Sequence, residues 1–140
     1  MKKLIKKIKI FDRLKNKNDI ELVYKKGYVI ISADRKLKAN YISIDSETKK
    51  VKTAVSVSSK VGNSVWRNGL KRLIRESLRQ EELILKEIVF KNKLELSIIF
   101  SPYRINKTNL ANPIFKEVKP AVTDILNKIS KTSVRNLKGN

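Results

Sequence analysis

Neither cysteine nor histidine occurs anywhere in the 140 residues. The first absence excludes a disulfide scaffold, a thiolate zinc site and a cysteine nucleophile, and it is compatible with a cytoplasmic location. The second removes the commonest general base, the Ser-His-Asp arrangement and most transition-metal sites. Any bond chemistry must therefore come from carboxylates with hard metal ions, or from another molecule. Acid is scarce as well: 13 Asp and Glu stand against 33 Lys and Arg, a formal charge of +20. A compact chain with that excess repels itself and attracts polyanions, which makes nucleic acid the leading partner class and an anionic membrane surface the second. Long apolar runs are missing too. The longest, Tyr28 to Ile31, falls far short of the roughly 20 residues a membrane span needs, and lysines interrupt MKKLIKKIKIF throughout, so neither a span nor a secretory leader is expected.

What is present is organised around Lys60 to Arg79, KVGNSVWRNGLKRLIRESLR. At helical spacing, Trp66, Leu70, Leu73, Ile74 and Leu78 form an apolar stripe that predicts burial against a core. Arg67, Lys71, Arg75 and Arg79 recur every fourth residue on the exposed side, with Asn68 and Arg72 beside them. Four of the eight arginines lie in these positions, in a chain that otherwise prefers lysine. The guanidinium's planar, bidentate donor fork suits phosphate better than a point charge does. Gly62 offers a turn and Asn63 or Ser64 a helix cap, after which Arg67 falls in the first turn, where the helix dipole favours an acid. That placement fits an outside anion held by the free amides and the arginine together. The plainer alternative is a solvated basic face on an amphipathic helix.

This stretch resembles the signature of the bacterial ribonuclease P protein subunit. Val61, Gly62, Asn63, Val65, Arg67, Asn68, Lys71, Arg72, Arg75 and Glu76 match it. Two positions depart: Gly69 stands where the family usually has the second arginine of an Arg-Asn-Arg core, and Ser59 where it usually has lysine. The glycine also costs about 1 kcal/mol of helix propensity relative to alanine.

Along the chain, residues 1–11 form a basic N-terminal arm, 12–130 a single RNA-binding domain and 131–140 a basic tail; no repeat or second domain is found. A helix is predicted from Asn16 or Asn18 to Lys26, closed by Gly27 in the left-handed region. Strands are predicted at Tyr28–Ala33, Tyr41–Asp45 and Val51–Ser58, with connections at Asp34–Lys38 and Ser46–Lys50. The last of these alternates most clearly, placing Val51, Thr53, Val55 and Val57 on one face and Lys52, Ala54, Ser56 and Ser58 on the other. Beyond the basic helix, EELILKEIVFKNK extends or replaces it, and Leu94–Phe100 reads as a buried strand ended by Pro102. A loop over 103–112 precedes a final helix, with Asn112 as its cap, Pro113 at its first position and Pro120 expected to kink or split it.

The resemblance implies an α+β fold in the order α-β-β-β-α-β-α, with a central four-stranded mixed sheet and a left-handed crossover between its last two, parallel strands. It implies a protein that performs no bond chemistry, serving an RNA subunit that holds catalytic magnesium and removes the 5′ leader of precursor tRNA. On that reading the catalytic RNA meets Lys60, Asn63, Arg67, Asn68, Lys71, Arg72 and Arg75. The leader lies in a cleft lined by Ile20, Tyr24, Tyr41, Lys52, Ser56 and Ser58. Stacking bases on tyrosines beside lysine-bound phosphates is a general mode for single strands, although a tyrosine on an apolar helix face is otherwise simply core. No catalytic residue and no protein-bound metal is assigned. A ribosome-type structural RNA-binding protein is the alternative. Asp45 and Glu47, at spacing two, are the candidate pair for a free-standing metal nuclease, a spacing that a turn boundary explains as well, and DNA recognition lacks a dimer signature or a helix-turn-helix pair.

Overall fold

The computed structural model describes residues 11–139, with side chains described as far as Thr132. The elements are β1 (Phe11–Arg13), α1 (Lys17–Lys26), β2 (Tyr28–Ile31), β3 (Leu37–Asp45), β4 (Val51–Val55), α2 (Ser64–Gln80), α3 (Glu82–Asn92), β5 (Leu94–Pro102) and α4 (Phe115–Gly139). The strands form one mixed sheet in the order β1-β4-β5-β3-β2. β4 lies parallel to β5, as expected of strands joined across the basic helix, while β3 runs antiparallel to both β5 and β2. The class matches the expectation, but the sheet has five strands rather than four, and a fourth helix, α3, follows the basic helix where the implied order has three helices in all. The extra strand is β1, which pairs parallel to β4 and includes Phe11, assigned by sequence to the arm. Residues 1–10, the rest of that arm, lie outside the described residues.

Period-two alternation splits each strand between two unequal cores. On one face Leu37, Tyr41, Leu96, Ile98 and Phe100 meet α2, α3 and α4 through Leu70, Ile74, Leu85, Val122 and Ile125. On the other, α1 seals a smaller cluster of Leu14, Val23 and Ile99, with Ile20, Ile42 and Ala54 packed against it. Each face thus has a helical cover, and the basic helix belongs to the larger one.

Several local features differ from the sequence reading. Gly27 caps α1 but has extended geometry, φ −81° and ψ 173°, not left-handed. Its glycine identity answers to space: a Cβ there would lie 2.3 Å from the Val23 carbonyl oxygen and 2.6 Å from that of Tyr41. β3 begins at Leu37, inside the stretch read as connection, because Ser32 closes a tight hairpin; its amide donates to the Leu37 carbonyl and its hydroxyl accepts from the Leu37 amide. The Glu81 junction separates α3 from α2, and Lys93 ends α3 in the left-handed region at φ 51°. α4 starts at Phe115, two residues beyond Pro113, with the Ile114 carbonyl accepting the first bonds. Pro120 does not split it. The bond it forfeits is to the Lys116 carbonyl, one turn from the helix start, and both residues are exposed.

Candidate nucleic-acid interface

The start of α2 is locked from two sides. The Asn63 side chain accepts from the Trp66 amide at 2.9 Å, the capping bond expected of Asn at this position. The Trp66 indole N–H donates to the Leu110 carbonyl at 2.7 Å, and the Lys107 amide donates to the Val61 carbonyl at 2.7 Å. Loop 103–112 therefore clamps the turn that aims the helix. Gly62 belongs to this clamp, since a Cβ there would press into the Trp66 ring at 2.8 Å.

From that fixed start, Trp66, Leu70, Ile74 and Leu78 are buried as the stripe requires, and Leu73 packs at the margin. Asn68, Arg72 and Arg75 are exposed; Arg67 and Lys71 are half-buried along their stems. Among the described residues none of Arg67, Lys71, Arg72 and Arg75 forms an ion pair, whereas Arg79 is held by Glu76 at 3.0 Å. The first turn of α2 contains no acid. The Arg67 Nε is buried with no hydrogen-bond partner, so this arginine is held against the protein while its charge goes uncompensated. Lys60 and Asn63 sit exposed at the helix entrance beside this ridge.

The α1 face assembles only part of the predicted leader cleft. Leu14, whose amide donates to the Thr53 carbonyl, anchors one end of α1 near β4; Gly27, against the Tyr41 carbonyl, fixes the other near β3. Ile20 packs against the cluster of Leu14, Val23 and Ile99, while Tyr24 is 49% exposed. Lys52 shares this face, paired with Glu95 at 3.0 Å; that hydrogen bond raises its pKa and keeps it charged. Ser56 lies just past β4, its amide donating to the Phe100 carbonyl. Ser58 lies in the turn beyond, where its hydroxyl accepts from the Lys60 amide at 3.2 Å, so it shapes the approach to α2.

Tyr41 has to be removed from the cleft. It is 1% exposed and belongs to the larger core, on the opposite side of the sheet from α1. An odd position in β3 shares a face with Leu37 and Ala39, and a sequence-level strand starting at Tyr41 concealed that parity. Burial pushes its phenol above the usual range, and its ring meets Tyr28 at 5.7 Å between centroids. Asp45 and Glu47 are both exposed, at the end of β3 and in the following turn. Among the described residues no group of three or more acidic, histidine or cysteine side chains could hold a metal ion. Asp12 and Glu95 are instead engaged by Lys50 and Lys52. These carboxylates do not fit a protein-held magnesium. Among the described residues no helix is long and apolar enough to cross a membrane.

A family model described as Ribonuclease P matches residues 8–130, which take in both basic surfaces and the whole sheet. The chain belongs to the ribonuclease P protein family. The ribonuclease P protein component of Alkaliphilus metalliredigens is 32% identical over 118 residues, covering 84% of this chain and 93% of that one. The component from Bacillus velezensis is 35% identical over 75 residues, 54% of this chain but 62% of its own length, less than two thirds. Among solved structures, the Staphylococcus aureus RNase P protein superposes with a TM-score of 0.62 at 26% identity, covering 84% of this chain and 94% of that one. The Thermotoga maritima RNase P protein, 20% identical with a TM-score of 0.64, shares the fold. As a ribonuclease P protein the chain is an RNA-binding component of a tRNA-processing endoribonuclease.

Sequence reasoning missed two cations near the α2 ridge. Arg13 ends a three-residue strand too short to show any period and Lys15 lies two residues beyond it, and only the pairing of that strand with β4 brings them toward Arg75 and Arg79.

Proposed function

We propose that this ribonuclease P protein binds the catalytic RNA along the α2 ridge and the 5′ leader of precursor tRNA across the α1 face. The observation that carries the first half is the set of arginines without acid partners on a helix whose other side is buried. Core packing leaves α2 no freedom to turn its cations inward, so Arg67, Asn68, Lys71, Arg72 and Arg75, with Lys60 and Asn63 at the entrance, face outward for phosphates. The half-exposed Tyr24 supports the second half. It offers a ring for base stacking above Ile20, while Lys52 supplies charge from β4 and Ser56, just past that strand, a hydroxyl. Ser58 contributes by holding the turn between the two surfaces.

Bond cleavage in this reading belongs to the RNA subunit with its magnesium ions, and the protein works in the cytoplasm. Binding ribozyme and leader at once raises affinity for precursor over mature tRNA, because only the precursor reaches the α1 face. Reconstitution with the cognate RNA tests this: added protein should stimulate leader removal at low magnesium, and protein without RNA should cut nothing. Cleavage by the protein alone would overturn the division of labour. Replacing Arg67 and Arg72 together by alanine should weaken assembly and flatten its salt dependence by about 0.7 to 0.9 log units per lost phosphate contact.

A further inference from the structure

A cleft of about 930 Å³ opens between the β1 edge of the sheet and the C-terminal half of α2. Thr53 and Val55 line its floor, Arg13 and Lys15 stand on one side, and Arg75 and Arg79 on the other. The parallel register pairs Arg13 with Thr53, so Arg13 lies on the face that carries α2, away from α1. Arg13, Lys15 and Arg75 are exposed and form no ion pair among the described residues; Arg79 alone is partly offset, by Glu76. Asp12 and Lys52, register partners on the other face of the strands, also line the cleft, and each is held in an ion pair, Asp12 with Lys50 at 3.5 Å and Lys52 with Glu95 at 3.0 Å. β1 is also the last strand of the sheet, so the backbone groups on its outer side have no partner strand among the described residues.

We propose that this cleft seats a stretch of the catalytic RNA's sugar-phosphate backbone, continuing the path of the α2 ridge onto the β1 edge. The proposal rests on the function given above and extends it to Arg13 and Lys15. Three features select this occupant. The cations are spread over two walls of an open cleft, which suits successive phosphates rather than one small anion. Arg75 and Arg79 belong to the same helix as the ridge, so a strand leaving Arg72 reaches the cleft without crossing the sheet. Tyr24 lies on α1, across the sheet, and Lys52, which also lines the cleft, is engaged by Glu95, so the cleft cations without an acid partner among the described residues are Arg13, Lys15 and Arg75.

Holoenzyme reconstituted with the Arg13→Gln/Lys15→Gln double variant provides the test, with protein-RNA affinity measured across a salt series. Loss of two phosphate contacts should lower affinity roughly ten- to thirty-fold near physiological salt and reduce the log-log salt slope by about 1.4 to 1.8. Both side chains are exposed, so the unfolding curve should match that of the unaltered protein. Arg67→Ala/Arg72→Ala, measured alongside, separates the two ideas. If it weakens binding while the β1 pair leaves affinity and slope unchanged, the cleft proposal fails and the ridge stands; if neither pair matters, the ridge itself is not an RNA surface. A photoreactive p-benzoylphenylalanine at position 13 identifies the occupant in the assembled complex with precursor tRNA. Crosslinks to the RNA subunit are expected, and crosslinks confined to the leader, or to neither RNA, would overturn the assignment.

Discussion

Gly69 interrupts an otherwise continuous basic helix, and its surroundings make the consequence calculable. It lies inside α2 without positive φ, and a Cβ added there would meet nothing within 4 Å. Gly69→Ala therefore gains the helix-propensity difference, about 0.8 to 1 kcal/mol, with no opposing clash. For a domain of this size that corresponds to a melting temperature roughly 3 to 5 °C higher. Gly69→Arg gains a similar amount less about 0.2 to 0.5 kcal/mol for the like charge of Arg72 three residues on. It also restores a cation to the ridge, which should add about 0.7 to 0.9 to the salt slope and tighten catalytic RNA binding roughly four- to six-fold near physiological salt. Thermal unfolding and salt-dependent titration of each variant separate the two effects. Alanine should stabilise without changing affinity, and arginine should do both. If both variants fold well yet bind RNA more weakly, the RNA backbone approaches this helix too closely for any side chain. The glycine would then be a contact surface rather than a gap, and the reasoning would be refuted.

Gly27→Ala should destabilise by about 1 to 3 kcal/mol in urea unfolding, since the new methyl meets two carbonyl oxygens that belong to the backbone of α1 and β3. Tyr24→Ala should lower precursor affinity by about 1 to 3 kcal/mol, the worth of one stacked base, and leave mature tRNA affinity unchanged; equal losses for both would remove Tyr24 from the leader path. Tyr41→Ala, by contrast, should cost about 3 to 5 kcal/mol of stability through the cavity it leaves in the larger core. Asp124 ties α4 to the end of β2, accepting from the Ala33 amide at 2.8 Å and pairing with Lys128 at 3.0 Å. Burial pushes its carboxyl up, but that amide and lysine outweigh burial and hold it below the ordinary 3.8. Its contribution is accordingly present above pH 3.8 and lost as the pH falls through the lowered value, so the stability gap between the unaltered protein and Asp124→Asn should narrow in that acid range. A gap that is constant from pH 7 down to pH 2 would argue that the carboxylate charge plays no part.

The α2 ridge was legible because helical period is local: once Trp66, Leu70, Ile74 and Leu78 are committed to the core, the arginines have only the outer side left. The starts of α2 and α1 were legible to within two residues for the same reason, with Asn63 chosen over Ser64 and Asn16 over Asn18 by the fold, and so was the alternation of β4. Tyr41 was misplaced because the start of β3 was set by Ser32 bonding across the hairpin to Leu37, which shifts no residue's identity but reveals which face an odd position takes. Gly27 was read for its conformational freedom, yet the constraint on it is the approach of Tyr41, a residue on another strand.

The linear order of residues, acting through short-range periods, determined that a helix with one buried side would carry its guanidiniums on the other. Only the folded sheet decided what accompanies that helix. The pairing of a three-residue strand with β4 places Arg13 and Lys15 across a cleft from Arg75, some sixty positions later in the chain. Such contacts depend on which strands neighbour one another and on the parity of their register. Those are set by the burial of apolar residues on two opposed faces at once, and no local stretch of the chain contains that information.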